Sequence, residues 1–252
     1  MSFFNVEGYD AAKATEEDRT GGGRKLLESG IYDAVIKHAY FQKSTRSSAL
    51  SLNLEFDIGG QKLREQIWFT NSNGEVKYKD KNDGTMKFLP GFITADTLTW
   101  LATEGKTLDQ AQKSVQKKTI NLYNFQERKE LPTDVDMVMD LIGKPIKLGV
   151  LQSKVNKQEK NESNEYVDTN DSRELNQVDK YFHAKSGKSR SELQAKGEAK
   201  FIETWKAQWA GKLNDRFKPV TGTGTAGMPT GGFAGAAEPA GTTADAGDNP
   251  FL

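Results

Sequence analysis

Two adjacent segments alternate apolar and polar side chains, and this pattern constrains the fold more than any other feature of the chain. From Leu50 to Ile58 every second residue is Leu, Phe or Ile, and the residues between them are polar. Gly59-Gly60, a dipeptide typical of two-residue hairpins, leads into Lys62 to Phe69, where the alternation repeats. Because successive strand residues point to opposite faces, the pattern predicts an antiparallel hairpin with one buried face and one wet face.

The flanking segments extend this β pattern into a meander. Gly30 to Phe41 is rich in β-branched and aromatic residues, which predicts a strand before the hairpin. Asn73-Gly74 marks a further turn after it.

The middle of the chain mixes helical and extended patterns. A helix is predicted from Thr94 to Thr103, with Thr94 as its N-cap, and a second helical stretch from Leu108 to Lys117. Thr119 to Phe125 fits either a strand or an extended insertion. A short helix is then predicted from Asp134 to Ile142, and Gly143 would end it.

The last part of the body returns to strands and closes with helices. Pro145 to Leu151 is a predicted strand, and a polar loop from Asn156 to Asn164 separates it from strand signals at 165–168 and 175–182. Ser189-Arg190-Ser191-Glu192 has the spacing of a capping box. The helical region that follows has three apolar residues on one side: Ile202, Trp205 and Trp209.

The order of these elements predicts a mainly β fold with inserted helices. Three strands, a helix and at least two more strands are the order of the OB-fold, a five-stranded Greek-key barrel with its helix after the third strand. An immunoglobulin-like sandwich is the alternative, which the helical block disfavours. The predicted domains are a flexible N-terminal arm (1–27), the OB-fold body (28–218) and a disordered C-terminal tail (219–252).

Composition limits the chemistry that the chain can perform. The 252 residues include no Cys, which excludes disulfides, thiol catalysis and cysteine-ligated zinc. The segment from Pro219 onward contains three acids and no Lys or Arg, so the body holds 35 bases against 32 acids. This weak surplus favours local basic patches. No apolar run approaches membrane-spanning length, so we expect no membrane partner and a cytoplasmic location.

The third strand offers the best candidate ligand contact. If Ile67 and Phe69 point inward, Trp68 points outward beside Arg64, where a base can stack on the ring. The alternative is that the N-terminal arm or an insertion covers Trp68. Further candidates for binding single-stranded DNA lie in basic segments that include aromatic residues, although such segments are often only solvated faces: Lys37, Tyr40, Lys43, Arg46, Lys62, Lys77, Tyr78, Lys79, Tyr123 and Arg128.

Catalytic and metal-binding patterns are weak. Asp134, Asp136 and Asp140 resemble a metal-ligand set, but in the first turns of a predicted helix they would instead favour the helix dipole. His38 and His183 have no evident triad partner. We therefore expect no catalytic residues, no metal and no cofactor.

The C-terminal end combines a flexible tether with a small apolar tip. Val220 to Gly247 is mostly Gly, Ala and Thr, which cannot bury enough apolar surface to offset ordering. A frayed end is the alternative to a functional tip. The candidate partner-binding residues are Asp245, Asp248, Pro250, Phe251 and Leu252.

With these elements assembled, the chain resembles bacteriophage single-stranded DNA-binding proteins. The similar segments are 30–36 (GIYDAVI), 143–150 (GKPIKLGV) and the Pro-Phe tip. The resemblance implies an OB-fold and sequence-tolerant binding that coats and protects single strands during phage replication, recombination and repair. It also implies recruitment of a polymerase, helicase or recombinase through the tail. A homo-oligomer is possible. A metal-dependent nuclease and a protein-interaction module that regulates transcription without binding DNA remain as alternatives.

Overall fold

The computed structural model describes residues 26–124, 127–161 and 166–220. Most of the predicted N-terminal arm and of the predicted C-terminal tail, including the candidate tip residues, lies outside these ranges.

The described residues form a mainly β protein with short helices. The strands are β1 (Gly30–Lys43), β2 (Leu50–Ile58), β3 (Gln61–Trp68), β4 (Lys77–Lys79), β5 (Met86–Phe88), β6 (Val115–Asn124), β7 (Lys129–Val138), β8 (Pro145–Lys160), β9 (Tyr166–Phe182) and β10 (Leu213–Asp215). The helices are α1 (Pro90–Ala102), α2 (Leu108–Ala111), α3 (Arg190–Gln194) and α4 (Phe201–Trp209). The expectation of a mainly β fold with inserted helices is confirmed.

The predicted antiparallel meander is confirmed, but the expected wet face of the hairpin is wrong for β2, whose polar side chains are also buried. β1 pairs antiparallel with β2, and β2 with β3. The apolar residues of β2 from Leu52 to Ile58 are buried together with Ile36 of β1. Three polar residues on the opposite face of β2 are buried as well: Ser51, Asn53 and Glu55. Gly59 and Gly60 adopt the positive φ angles of 58° and 93° that a tight hairpin turn requires.

The sheet continues from the other edge of β1 and stays open. β8 pairs antiparallel with β1 over residues 145–150, and β9 pairs with β8, which gives the order β3-β2-β1-β8-β9. Within the described ranges no backbone ladder joins β3 to β9. Leu98 and Leu101 of α1 pack into the main core with the apolar residues of this sheet.

A side-chain contact bridges the unpaired edges of β3 and β9. The Tyr181 hydroxyl of β9 donates a hydrogen bond to the Glu65 carboxylate of β3. Burial raises the pKa of Glu65 to about 7, although this hydrogen bond favours the charged form. Burial also raises the pKa of the Tyr181 hydroxyl, so Tyr181 stays neutral and a large fraction of Glu65 keeps its proton up to neutral pH.

The predicted helix from Asp134 to Ile142 is wrong, because this segment belongs mostly to β7. Val135 and Met137 are buried beside Tyr40, and Asp134 and Asp136 are exposed, which is the alternation of a strand. β7 pairs with β6 along its length and with β1 at two positions. Only residues 139–141 form a single 3-10 turn.

The helices between β5 and β6 also differ from prediction. α1 begins at Pro90 rather than Thr94, and the Thr94 hydroxyl donates to the Pro90 carbonyl inside the helix. Pro90 suits this start because the first helical residue needs no backbone N–H partner. α2 ends at Ala111, and the chain is already extended in β6 from Val115.

The predicted loop from Asn156 to Asn164 is mostly wrong, because β8 and β9 form one long hairpin. β8 runs to Lys160, and β9 is continuous from Tyr166. Residues 157–160 and most of 166–174 are exposed, so the sequence there lacks the apolar alternation that marks a half-buried strand. The outer part of the hairpin, residues 151–160 and 166–178, is called the ribbon below.

The C-terminal helices agree with prediction. Ser189 and Glu192 form both hydrogen bonds of the capping box at the start of α3. Ile202, Trp205 and Trp209 of α4 pack against Leu151 and Phe182. Gly149 gives the Trp205 ring its close approach, since a Cβ atom at this position would lie 3.1 Å from the ring and would displace it by a few tenths of an ångström.

No helix in the described part of the chain is long and apolar enough to cross a membrane.

We expect Glu65→Gln to remove a pH-dependent loss of stability. In the unfolded chain Glu65 ionises near its ordinary pKa of 4.5, and in the fold near 7. Between these values the folded state binds more protons, so stability falls as pH rises. The Gln carbonyl still accepts from Tyr181. The wild-type free energy of unfolding should fall relative to the variant by about 1–3 kcal/mol across this window.

Urea titrations from about pH 4 to about pH 8 measure this difference. Glu159→Gln, at an exposed position of β8, controls for the change in net charge. If the wild type and Glu65→Gln lose stability in parallel with rising pH, Glu65 does not titrate in this window.

Candidate functional site

The open side of the sheet forms a cleft of about 1370 Å³. One wall comes from residues 63–66 of β3, and the other from the ribbon and the segment 214–218 that follows α4. Tyr123, near the end of β6, and Leu26 complete the lining. We call this space the seam cleft, because it lies between the unpaired edges of β3 and β9.

Three cations of the seam cleft form no ion pair with any described residue: Arg173, Arg216 and Lys218. Arg173 lies opposite Val155 in the β8–β9 register, and the Arg216 backbone N–H donates to the Lys154 carbonyl on the other edge of β8. The two arginines therefore flank β8 at the same level of the ribbon. The Arg173 Nε atom is buried and has no hydrogen-bond partner among the described residues.

The acids of the seam cleft are occupied by internal hydrogen bonds. Asp179 accepts from Trp205 Nε1 at 2.7 Å, and Glu174 accepts from Gln152 Nε2 at 2.7 Å. Asp215 accepts from the Phe217 backbone N–H at 3.0 Å. A cleft with engaged acids and unpaired cations suits an anionic ligand, because a buried donor without a partner costs about 1–3 kcal/mol.

Two asparagines of the ribbon hold the segment that carries Arg216 and Lys218. Asn156 accepts from the Lys218 backbone N–H at 3.0 Å and donates to the Lys218 carbonyl at 2.7 Å. Asn170 makes the same two-way contact with Val220, at 2.7 and 3.1 Å. β10 extends this attachment by parallel pairing with residues 152–154. The stretch from 213 to 220 is therefore a fixed part of the cleft wall.

A third asparagine holds the start of the described chain. Asn176 accepts from the Leu27 backbone N–H at 2.9 Å and donates to the Leu27 carbonyl at 2.7 Å. Leu26, which lines the cleft, directly precedes this contact. Both ends of the body are thus attached to the ribbon beside the seam cleft.

Arg64 lies in the seam cleft, but its charge is shared with a buried carboxylate. The Arg64 Nε atom is 2.8 Å from Glu55, and Lys62 and His38 approach the same carboxylate within 3.4 and 3.7 Å. Burial opposes ionisation of Glu55, but the hydrogen bond and charge of Arg64, aided by the other two groups, lower its pKa. This face of β1–β3 is therefore largely neutralised internally.

The structure places Trp68 on the predicted face of β3. Trp68 pairs with Ser51 and shares its face with Arg64. The residue is partly buried, and it does not line the seam cleft. Tyr40 differs from prediction, because only 2% of it is exposed and its ring packs against Val135 and Met137. In this conformation Tyr40 offers no face for stacking.

Only two of the predicted binding residues meet in the seam cleft: Arg64 and Tyr123, of which Tyr123 is 37% exposed. The others lie elsewhere. Lys37 pairs with Asp57 at the β1 bulge, and Lys43 and Arg46 are exposed near the β1–β2 loop. Arg128 turns the β6–β7 hairpin at φ 51°, and β4 holds Lys77, Tyr78 and Lys79.

The sequence-based interpretation missed Arg173, Arg216 and Lys218. The only signal near them is the spacing of Arg216 and Lys218 two residues apart, which places both on one side of an extended segment. That signal had no meaning without knowledge of the ribbon to which the segment binds.

The aspartates that resemble a metal-ligand set in sequence make separate contacts. Asp134 accepts from the Thr119 hydroxyl at 2.6 Å, and Asp140 pairs with Lys106 at 2.9 Å. Within the described ranges, no three His, Asp or Glu side chains are close enough together to hold a metal ion.

Comparison with protein-family models and with curated proteins finds no match to this chain.

We expect Asn156→Ala to loosen the segment from 213 to 220 while leaving the sheet intact. The change removes the hydrogen bonds to Lys218 and a further one to the Thr169 carbonyl. Amide exchange at Arg216 and Lys218 should accelerate about tenfold or more, because each lost hydrogen bond removes about 0.5–1.5 kcal/mol.

Hydrogen exchange resolved by residue or by short peptides measures this change. Asn121→Ala, at an exposed position of β6, is the matched control and should leave exchange in 213–220 unchanged. Equal exchange in the wild type and Asn156→Ala would mean that β10 and the Asn170–Val220 contact fix the segment without Asn156.

Proposed function

We propose that this chain is a non-enzymatic, sequence-independent single-stranded DNA-binding protein whose sheet is an opened OB-fold barrel. The chain order β1-β2-β3-α1-β8-β9 and the sheet order β3-β2-β1-β8-β9 support the barrel assignment. In this interpretation β6–β7 is an inserted hairpin, and the ribbon extends the last two barrel strands. The protein would act in the cytoplasm of a host cell.

The observation that carries the proposal is the composition of the seam cleft. Arg173, Arg216 and Lys218 form no ion pairs with described residues, and the partly exposed ring of Tyr123 lines the same space. Cations that follow a groove and aromatic rings on which bases stack are the two elements of sequence-tolerant single-strand binding.

A single strand fits this surface better than a duplex. Reading a duplex usually requires a helix or strand that protrudes into a groove, but the cations here lie inside a concavity. A single strand is flexible enough to enter a cleft and exposes its bases for stacking.

The C-terminal tip supplies the second half of the proposal. Asp245, Asp248, Pro250, Phe251 and Leu252 would bind a polymerase, helicase or recombinase of the same replication system. The position of Val220 supports this role. Asn170 holds Val220 on the ribbon, so the residues that follow start beside the seam cleft.

We expect tighter binding to an oligo-dT single strand than to a duplex of the same length, with affinity falling as salt rises. Arg173→Gln combined with Arg216→Gln should weaken binding and reduce the slope of log K against log salt by about one to two. Tyr123→Ala should weaken binding by about one stacked base, roughly 1–3 kcal/mol, whereas Tyr123→Phe should not.

Fluorescence anisotropy at several salt concentrations measures DNA binding by the wild type and by these three variants. Lys113→Gln removes an exposed cation outside the seam cleft and should leave the salt slope nearly unchanged. Equal affinity for single-stranded and duplex DNA, or no binding to either, would contradict the proposal. Divalent-metal-dependent degradation of the strand would instead favour a nuclease.

Deleting residues 221–252 should leave the fold intact and abolish binding to the replication partner. The deletion begins after Val220, so it retains the contacts that fix the cleft wall. It also removes three acids and no base, so DNA affinity should stay the same or rise at low salt. Phe251→Ala should reproduce much of the lost partner binding, because apolar anchors dominate short recognition segments.

Pull-downs with the intact protein, the deletion and Phe251→Ala test this prediction. Thr223→Ala is a control within the tail but outside its tip. Full partner binding by the deletion would mean that the tip is not the recruiting segment.

A further inference from the structure

An exposed apolar patch lies on the β4–β5 hairpin and the first turn of α1. Met86, Phe88 and Ile93 are 61%, 44% and 53% exposed, and the Phe92 ring stacks on Phe88 with 5.0 Å between ring centroids. Apolar side chains exposed together in this way are typical of binding surfaces. These four residues are called the hairpin patch below.

Two lysines share the face of the hairpin patch. Lys77 and Lys79 pair across the hairpin with Phe88 and Met86, so the four side chains project from one face. The Lys77 Nζ atom lies 4.6 Å from the centre of the Phe88 ring. Phe92 stacks on this ring and the Lys77 ammonium lies over it, so a base stacks on Phe88 by displacing Lys77, whose ammonium group can then pair with the phosphate.

The acids of this hairpin do not neutralise those two lysines. Asp80 and Asp83, at the turn of the hairpin, both pair with Lys87 of β5. Lys77 and Lys79 form no ion pair with any described residue. The patch therefore combines apolar surface with uncompensated positive charge, which favours a polyanion with aromatic bases over an apolar protein segment.

The outer face of β3 connects the hairpin patch to the seam cleft. Arg64 and Gln66 line the cleft, and Trp68 follows them on the same face at the end of β3. The start of α1 packs directly against Trp68, since a Cβ atom added to Gly91 would lie 1.9 Å from the Trp68 carbonyl oxygen. The face of β3 therefore runs from the seam cleft towards the base of the hairpin patch.

We infer that the hairpin patch is a second contact site for single-stranded nucleic acid, continuous with the seam cleft along β3. This inference rests on the proposed function. A strand that fills the seam cleft would pass Trp68 and reach Phe88, Lys77 and Lys79. Short strands would occupy the cleft alone, and longer strands would occupy both sites.

The test compares two strand lengths in two variants. Phe88→Ala should weaken binding of an oligo-dT of about 20 nucleotides about fivefold or more, the loss expected for one stacked base. It should leave an oligo-dT of about six nucleotides within about twofold of wild type. Lys77→Gln should reduce the salt slope for the longer strand by about 0.7 and leave that of the shorter strand unchanged.

Tyr166→Ala is the matched control for the aromatic change. Tyr166 is 39% exposed, and Lys160 lies over its ring, as Lys77 does at Phe88, but neither residue belongs to the hairpin patch or lines the seam cleft. The control should bind both strands like wild type. Circular dichroism and melting temperature check that each variant is folded.

The outcomes separate this inference from the proposed function. If wild type binds neither strand, the proposed function fails. If wild type binds both strands and Phe88→Ala binds the longer one normally, only the second site is overturned. Weakened binding of a synthetic 245–252 peptide by Phe88→Ala, with normal binding of both strands, would identify the patch as a protein-docking site and would also overturn the inference.

Discussion

The two hydrogen-bonding edges of β8 hold the described molecule together. One edge pairs with β9 along almost the whole strand. The other pairs first with β1 and then, beyond residue 150, with β10. Ser29 bridges this change of partner, because its hydroxyl accepts from the Gln152 N–H and donates to the Lys212 carbonyl. One strand thus joins the β1–β3 meander, the ribbon and the segment 213–220.

The seam cleft follows from this arrangement. β8 and β9 extend beyond the part of the sheet that pairs with β1, and β3 has no ladder to β9 among the described residues, so a gap opens along the shared side. The Glu65–Tyr181 hydrogen bond spans that gap without a backbone contact. A buried carboxyl group that keeps its proton up to near neutral pH limits the negative charge in the lining, which matters in a space proposed to accept phosphates.

The sequence predicts the parts of the fold where apolar periodicity is strong, and it fails where partners distant in the chain replace that periodicity. The β1–β3 meander and α4 each bury one apolar side, so their patterns were readable. The ribbon is stabilised mainly by backbone pairing and by amide side chains such as Asn156 and Asn170, which also occur in loops. Asp134 and Asp136 favoured a helix start in sequence, but pairing with β6 and β1 makes this segment the strand β7.

The candidate site shows why a count of cations does not locate an anion-binding surface. Lys62 and Arg64 make the β1–β3 face a candidate for binding an anion, yet both pair with the buried carboxylate of Glu55. An anion arriving there must compete with a charge already in place. Arg173 and Arg216, in contrast, gain their positions from backbone pairing and leave their side chains without a carboxylate among the described residues. In a nearly neutral chain, the surface available to a polyanion is set by which cations lack an internal partner rather than by where cations are most numerous.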